Sequence, residues 1–162
     1  FKAKLGVGEG EQDQVDISEI IQSQLGQVGI DVEIDIIDYL TFLNMLVEGY
    51  HGQFDMFLLN QAGSALDPGE VMKSFMATRP LWSNTARYYN DDLTALIEKG
   101  LHTIDEATRF RIFKEVQQIV SQECPWVFLV HNTTSFAARK NIGGLVPYPT
   151  RYHYFKDAYL VR

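Results

Sequence analysis

Phe54-Asp55-Met56-Phe57-Leu58-Leu59-Asn60-Gln61-Ala62-Gly63-Ser64-Ala65-Leu66-Asp67-Pro68 begins as a short apolar run, the pattern of a strand buried on both faces. It then turns small and polar, and Asp67-Pro68-Gly69 closes it as a breaker and helix entry. A buried strand that ends in a small-residue loop places backbone N–H groups and short side chains at the carboxyl end of a sheet. Open α/β sheets bind their ligands there. A plain strand-to-helix connection has the same pattern, so the flanking elements decide between the two.

Upstream, Ala3 to Val7 suits a first strand, and Gly6, Gly8 and Gly10 open a loop. The spacing is GxGxG, and Glu9, Glu11 and Asp13 repel a phosphate, so a dinucleotide site fails on both pattern and charge. From Asp16 the period becomes helical, with Ile17, Ile20, Ile21, Leu25 and Val28 on one face. Asp13 or Asp16 is a candidate cap and Gly29 the stop. Gly26 inside this helix costs about 1 kcal/mol against Ala, which predicts close packing on a neighbour. Ile30 to Ile36 alternates strictly, as an edge strand with one wet, acidic face does. Asp38 caps a second helix whose stripe is Leu40, Leu43, Leu46 and Val47.

Strand, helix, strand, helix, strand with short links is the βαβ rhythm, which predicts an α/β fold with a mixed, largely parallel sheet flanked by helices. Downstream, Asn90 and Asp105 cap two further helices, and Pro125 ends the second. Trp126 to His131 reads as another apolar strand, with Thr133 to Arg139 able to pair with it. The spacing places strands near 3–7, 31–37, 54–60 and 126–131, and helices near 15–28, 39–49, 68–76, 91–100 and 105–123. Leu25, Leu43, Phe57, Leu96, Phe113, Val120 and Phe128 are the expected core.

At 162 residues the chain is expected to form a single domain over 1–162. It opens on Phe1 without a basic or signal-like leader, and so reads as a piece of a longer protein. Residues 1–60 hold eleven acids against Lys2 and Lys4, and residues 61–162 hold twelve bases against ten acids, which argues against a nucleic-acid partner. Cys124 alone allows neither a disulfide nor a thiolate metal site, and His51, His102, His131 and His153 lack ligand spacing, so neither metal nor cofactor is expected. Ser64 follows Gly63 but has Leu66 where a nucleophile elbow needs its second glycine. No enzyme is expected, and the alternative is a small hydrolase-like α/β enzyme with its site in the 60–67 loop.

Several separated stretches share one further likeness. They are Leu25-Gly26-Gln27-Val28-Gly29-Ile30-Asp31-Val32; Phe54-Asp55-Met56-Phe57-Leu58 followed by Asp67-Pro68; Tyr89-Asn90; Thr103-Ile104-Asp105 with Arg109; Gln117 with Ile119; Cys124-Pro125; Gly143-Gly144-Leu145; and Phe155-Lys156-Asp157. In order and spacing these resemble the C-terminal lobe of the peptide/nickel-type (family 5) extracellular solute-binding proteins of ABC importers. The resemblance runs over nearly the whole chain. It implies one lobe of a bilobed, periplasmic-binding-protein-like fold, in which residues 155–162 return toward an N-terminal lobe of the same parent chain. It also implies a peptide or small-molecule solute, permease subunits of an importer as partners, and a periplasmic or extracellular place, membrane-associated through the parent protein. Peptide binders of this family usually carry Trp where this chain has Gln61 and Asp where it has Ser64, and that Asp holds the peptide's α-amino group. With Ser64 no counter-charge remains there, and an ammonium buried without one is costly. Thr94 stands where a structural Asp is common. The expected ligand-binding residues are Asn60, Gln61, Gly63 and Ser64, joined by His131 and Asn132 at the end of a neighbouring strand.

Overall fold

In this computed structural model residues 1–48, 53–61, 66–78, 83–131, 133, 135, 137–146, 148 and 155–161 are described. They fall into two compact units, Phe1–Gln61 with Arg79–Arg87, and Ala62–Thr78 with Tyr88–Arg162.

In the first unit β1 (Lys2–Gly8), α1 (Gln12–Gln27), β2 (Asp31–Ile37), α2 (Tyr39–Glu48) and β3 (Met56–Phe57) alternate, as the βαβ rhythm requires. The strands are parallel in the order β2-β1-β3, with Leu5 opposite both Ile34 and Met56. Among the described residues β2 is an edge, as its wet face predicts. Along β1 the odd positions Leu5 and Val7 join Val32 in a core with Val15, Ile21 and Leu25 of α1. The even positions in the second half of β1 are Gly6 and Gly8, inside the strand and not in the loop expected for them. A Cβ on Gly6 would stand 2.9 Å from the Phe54 ring, and one on Gly8 2.7 Å from that of Tyr39. The missing side chains let Phe42, Leu46 and Phe54 form a second core with Phe57 and Leu59. Gly10, at φ +91°, alone makes the turn.

β3 follows the two-faced pattern, since Met56 and Leu58 pack in the first core and Phe57 and Leu59 in the second. It is nevertheless short and half-buried, because among the described residues only β1 lies beside it.

Both helices keep the expected period but not the expected phase. α1 buries Gln14 and Ser18 with Ile21 and Leu25 half-buried, leaving Ile20 and Val28 exposed. α2 buries Phe42 and Leu46, with Leu43 half-buried and Leu40 and Val47 exposed. The ends match the local chemistry. Asp38 Oδ1 accepts from the Thr41 N–H at 2.9 Å and its hydroxyl at 2.8 Å. Gly29, at φ +85°, closes α1, with the Ile30 N–H donating to the Leu25 carbonyl and that of Gly29 to Gly26. Gly26 meets nothing within 4 Å, so the close packing expected there is absent.

The second unit comprises α3 (Pro68–Met72), a 3₁₀ turn over Lys73–Phe75, α4 (Asp91–His102), α5 (Glu106–Glu123), and an antiparallel pair of β4 (Ile142–Gly143) with β5 (Tyr159–Leu160). Its core is Phe75, Met76, Leu93, Ile97, Phe113, Val116 and Val120. Asn90 Oδ1 caps α4 at the Leu93 N–H and Asp105 Oδ2 caps α5 at that of Thr108. Thr94 is buried, accepting from the Ala77 N–H and donating to the Asn90 carbonyl, both at 2.9 Å.

No strand forms over 126–131 among the described residues. Trp126 packs on Phe75, with ring centroids 4.5 Å apart, but Val127 to Val130 are exposed and Phe128 is 64% accessible. An apolar run becomes a buried strand only where a neighbouring strand and a covering layer meet it. Of the expected core, Phe113 and Val120 are buried, Leu25, Leu43, Phe57 and Leu96 are half-buried, and Phe128 is outside.

Candidate functional site

In the first unit the carboxyl ends of β1 and β3 point the same way because the strands are parallel. The Leu58 N–H still donates to the Gly6 carbonyl at 3.1 Å, one residue past the ladder. The chain then leaves the sheet as the polar pair Asn60-Gln61, both exposed. β1 ends at Gly8, and the Glu9 N–H donates to the Ile37 carbonyl at 2.7 Å before Gly10 turns the backbone into α1. Glu11 stands at the N-cap of α1 but its side chain makes no capping bond. Its Oε2 accepts from Asn60 Nδ2 at 3.1 Å, joining two segments 49 residues apart.

Of the residues singled out in the sequence, Asn60 and Gln61 therefore lie together at this end of the sheet. Gly63, Ser64 and Asn132 lie outside the described residues. His131 belongs to the second unit and is exposed. The residue that sequence reasoning missed is Glu11. Its charge argued only against phosphate, and nothing in a linear pattern links it to Asn60.

In the second unit Asp67 begins α3 with Pro68 at its first position, and Asp67 Oδ1 accepts from the Gly69 N–H at 2.8 Å. The same oxygen accepts from Arg109 Nη2 at 2.7 Å, and Arg109 Nε donates to the Gly100 carbonyl at 3.3 Å. The Arg109 hydrogen bond, foremost, holds the Asp67 carboxyl below its ordinary range against the opposing effect of burial. The guanidinium lies 5.0 Å over the Phe113 ring. That ring closes on two glycines, where an added Cβ would stand 3.1 Å (Gly69) and 3.0 Å (Gly100) from Phe113 Cζ. This cluster fixes the helix entry that follows the polar loop. Farther along, Glu123 accepts from the Tyr88 hydroxyl and from Asn90 Nδ2, tying the end of α5 to the start of α4. Burial, then Glu123, pushes the Tyr88 hydroxyl above its ordinary pKa.

The described polar groups at the end of the first unit's sheet are amides and a carboxylate, suited to fixing a ligand's orientation through hydrogen bonds. Among the described residues no group of three or more His, Cys, Asp or Glu is arranged to hold a metal ion, and no helix is long and apolar enough to cross a membrane.

No family model matches the chain. Over 130 residues it is 29% identical to di/tripeptide-binding protein 2 of Pseudomonas aeruginosa, covering 79% of this chain and 24% of that protein. Over 149 residues it is 30% identical to the glutathione-binding protein GsiB of Escherichia coli, covering 88% of this chain and 29% of that one. In fold it is similar to the oligopeptide-binding protein AppA of Bacillus subtilis, solved with a nonapeptide. The TM-score is 0.84 at 19% identity, covering 100% of this chain and 32% of AppA. The chain thus spans about a quarter to a third of the length of these relatives. These relatives are binding proteins rather than enzymes. By sequence and by fold the chain belongs to the peptide/nickel-type (family 5) solute-binding proteins, of which it spans one part.

Proposed function

We propose that the chain is the ligand-closing lobe of a solute receptor for an ABC importer, without chemistry of its own. The observation that carries this reading is the end of the parallel sheet. There β3 turns from apolar to polar at Asn60-Gln61, in a chain related to binding proteins for peptides and glutathione. The solute is a peptide or a related small molecule. Its contacts come from Asn60 and Gln61, from Gly63 and Ser64 in the loop that follows, and from His131 and Asn132. Residues 1–162 act as one lobe, an N-terminal lobe of the same parent chain supplies the rest of the enclosure, and the permease subunits of the importer receive the solute. The receptor works in the periplasm or outside the cell, membrane-associated through the parent protein.

The test is calorimetry on the full-length receptor against dipeptides, tripeptides and glutathione. Gln61→Ala is expected to raise Kd about tenfold, the scale of one lost good contact. Unchanged affinity and selectivity in both Gln61→Ala and Ser64→Asp removes this loop from the site. If the wild-type receptor binds none of these solutes, the reading of it as a peptide-class receptor is wrong.

A further inference from the structure

We propose that Arg109 is a positioning residue for solute binding: through Asp67 it fixes the downstream end of residues 61–66, and so limits the freedom that this segment gives up when solute binds. The inference rests on the solute-binding reading above and adds to it a residue of the second unit. Gln61, Gly63 and Ser64, all expected contacts, lie in this segment. Upstream the segment leaves a fixed strand, since the Leu58 N–H donates to the Gly6 carbonyl and Asn60 Nδ2 to Glu11 Oε2. Downstream it reaches Asp67, which begins α3.

α3 is too short to hold that end by itself. It has five residues, well below the about 12–15 that an isolated helix needs. Its N-cap is already served by the bond from the Gly69 N–H to Asp67 Oδ1, so the bond from Arg109 Nη2 to the same oxygen is additional. Arg109 comes from near the start of α5, and its guanidinium is fixed on two further sides. Nε donates to the Gly100 carbonyl in the last turn of α4, and the Phe113 ring lies beneath. A planar fork held in this way loses little freedom when it meets a carboxylate. Asp67 is thereby attached to α4 and α5 as well as to its own short helix. The two side chains are 27% and 40% exposed, so the pair adds little to global stability, and its effect is local to the end of the segment. A segment fixed at both ends has less conformational entropy to lose on binding, and that loss is subtracted from affinity.

The experiment uses the full-length receptor with the same dipeptides, tripeptides and glutathione, under conditions where every variant is folded. Arg109→Gln is expected to raise Kd about fivefold, the cost of ordering roughly one further side chain. Asp67→Asn keeps an oxygen for the Gly69 N–H and removes the same ion pair from the other side, so the same rise is expected. The double variant should bind no worse than either single one, because the two groups act as a unit. Val120→Ala, about three turns along α5 in the same core, is the control for lost stability and should leave Kd within about twofold. Hydrogen exchange without solute supplies the local readout. In Arg109→Gln the amides of residues 61–66 should exchange faster than in wild type, and those of residues 112–120 should not. Unchanged Kd in both single variants overturns the proposal, as does a rise in Val120→Ala as large as that in Arg109→Gln. Exchange quickened equally in both stretches also overturns it, because that is what a merely structural residue would give. In each of these results the wild type still binds solute, so the receptor reading stands. A wild type that binds none of these solutes removes both.

Discussion

The two units use charge in opposite ways. Phe1–Gln61 with Arg79–Arg87 holds eleven acids against four bases, while the rest of the chain holds ten of each. In the balanced unit the charges bind elements together. Arg109 joins Asp67 to the Gly100 carbonyl, and Glu123 joins Tyr88 to Asn90. In the acidic unit the cores are apolar residues on the two faces of a sheet, and the ion pairs of Lys2 with Asp31 and Lys4 with Glu33 are long and exposed. Exposed pairs of that kind contribute little to stability. The net negative charge of this unit raises a negative potential, which attracts cationic solutes. Charge selectivity is therefore to be sought in the first unit and charge-dependent stability in the second.

The largest effect expected is in the second unit. Phe113 is 2% exposed, packs against both glycines and lies under Arg109. Phe113→Ala should cost roughly 3–5 kcal/mol, read from urea unfolding. A loss below about 1 kcal/mol, the scale of a surface change, would mean that the unit is not centred on this ring. Next comes the matching test of the first unit. Gly6→Val forces a side chain into the space of the Phe54 ring, and overpacking of this kind costs about 1–3 kcal/mol. A neutral result would show that the ring can move aside and that the glycine is not required.

Smaller again is the acid response, which ought to separate the units. The Asp67 carboxyl is held below its ordinary range chiefly by Arg109, so the folded state binds its proton less readily than the unfolded chain. The stabilisation is then complete above the unfolded pKa, about 3.9, and is lost as pH falls through the lower folded value. Asp67→Asn should lower the urea midpoint slightly at pH 7 and flatten its fall below about pH 4. An unchanged acid limb would show that the pair is solvated too well to matter. Hydrogen bonds from Thr41 and Thr108 hold the Asp38 and Asp105 carboxyls below their ordinary range in the same way, so some acid sensitivity persists in the variant.

What the sequence made legible was whatever is decided within a few residues. Asp38, Asn90 and Asp105 cap because a short acceptor three residues before a free N–H has little else to do. The parallel order followed from the alternation of strand and helix. Phase was less legible. α1 turns Ser18 inward and Ile20 outward, because the face opposite the sheet is set by where the helix lands and not by which residues are most apolar. Trp126 to His131 was misread because apolar composition does not supply the neighbouring strand that buries it. The exit of β3 could be read, since Asn60 and Gln61 sit at a visible switch from apolar to polar. Glu11 could not, because its partner lies 49 residues away and only the parallel register brings them together.

Gly26 gives the smallest effect, and one of opposite sign. Its place in the stretch Leu25-Gly26-Gln27-Val28-Gly29 reads as a close contact between α1 and a neighbour, the usual reason to tolerate a glycine in a helix. The structure puts it in the first unit on an exposed turn, without positive φ and with nothing within 4 Å of a Cβ. Its carbonyl accepts from the Gly29 N–H at the helix end, and alanine keeps that bond. What remains is the backbone entropy that glycine loses on folding. Gly26→Ala should therefore stabilise by about 0.5–1 kcal/mol, seen as a higher urea midpoint at unchanged slope. Gly29→Ala, three residues on at φ +85°, should destabilise, because there the backbone conformation itself excludes a side chain. Opposite signs for the two variants would confirm that one glycine ends the helix and the other does nothing for it. If Gly26→Ala also destabilised, the outer face of α1 would be a packed surface in the full-length protein.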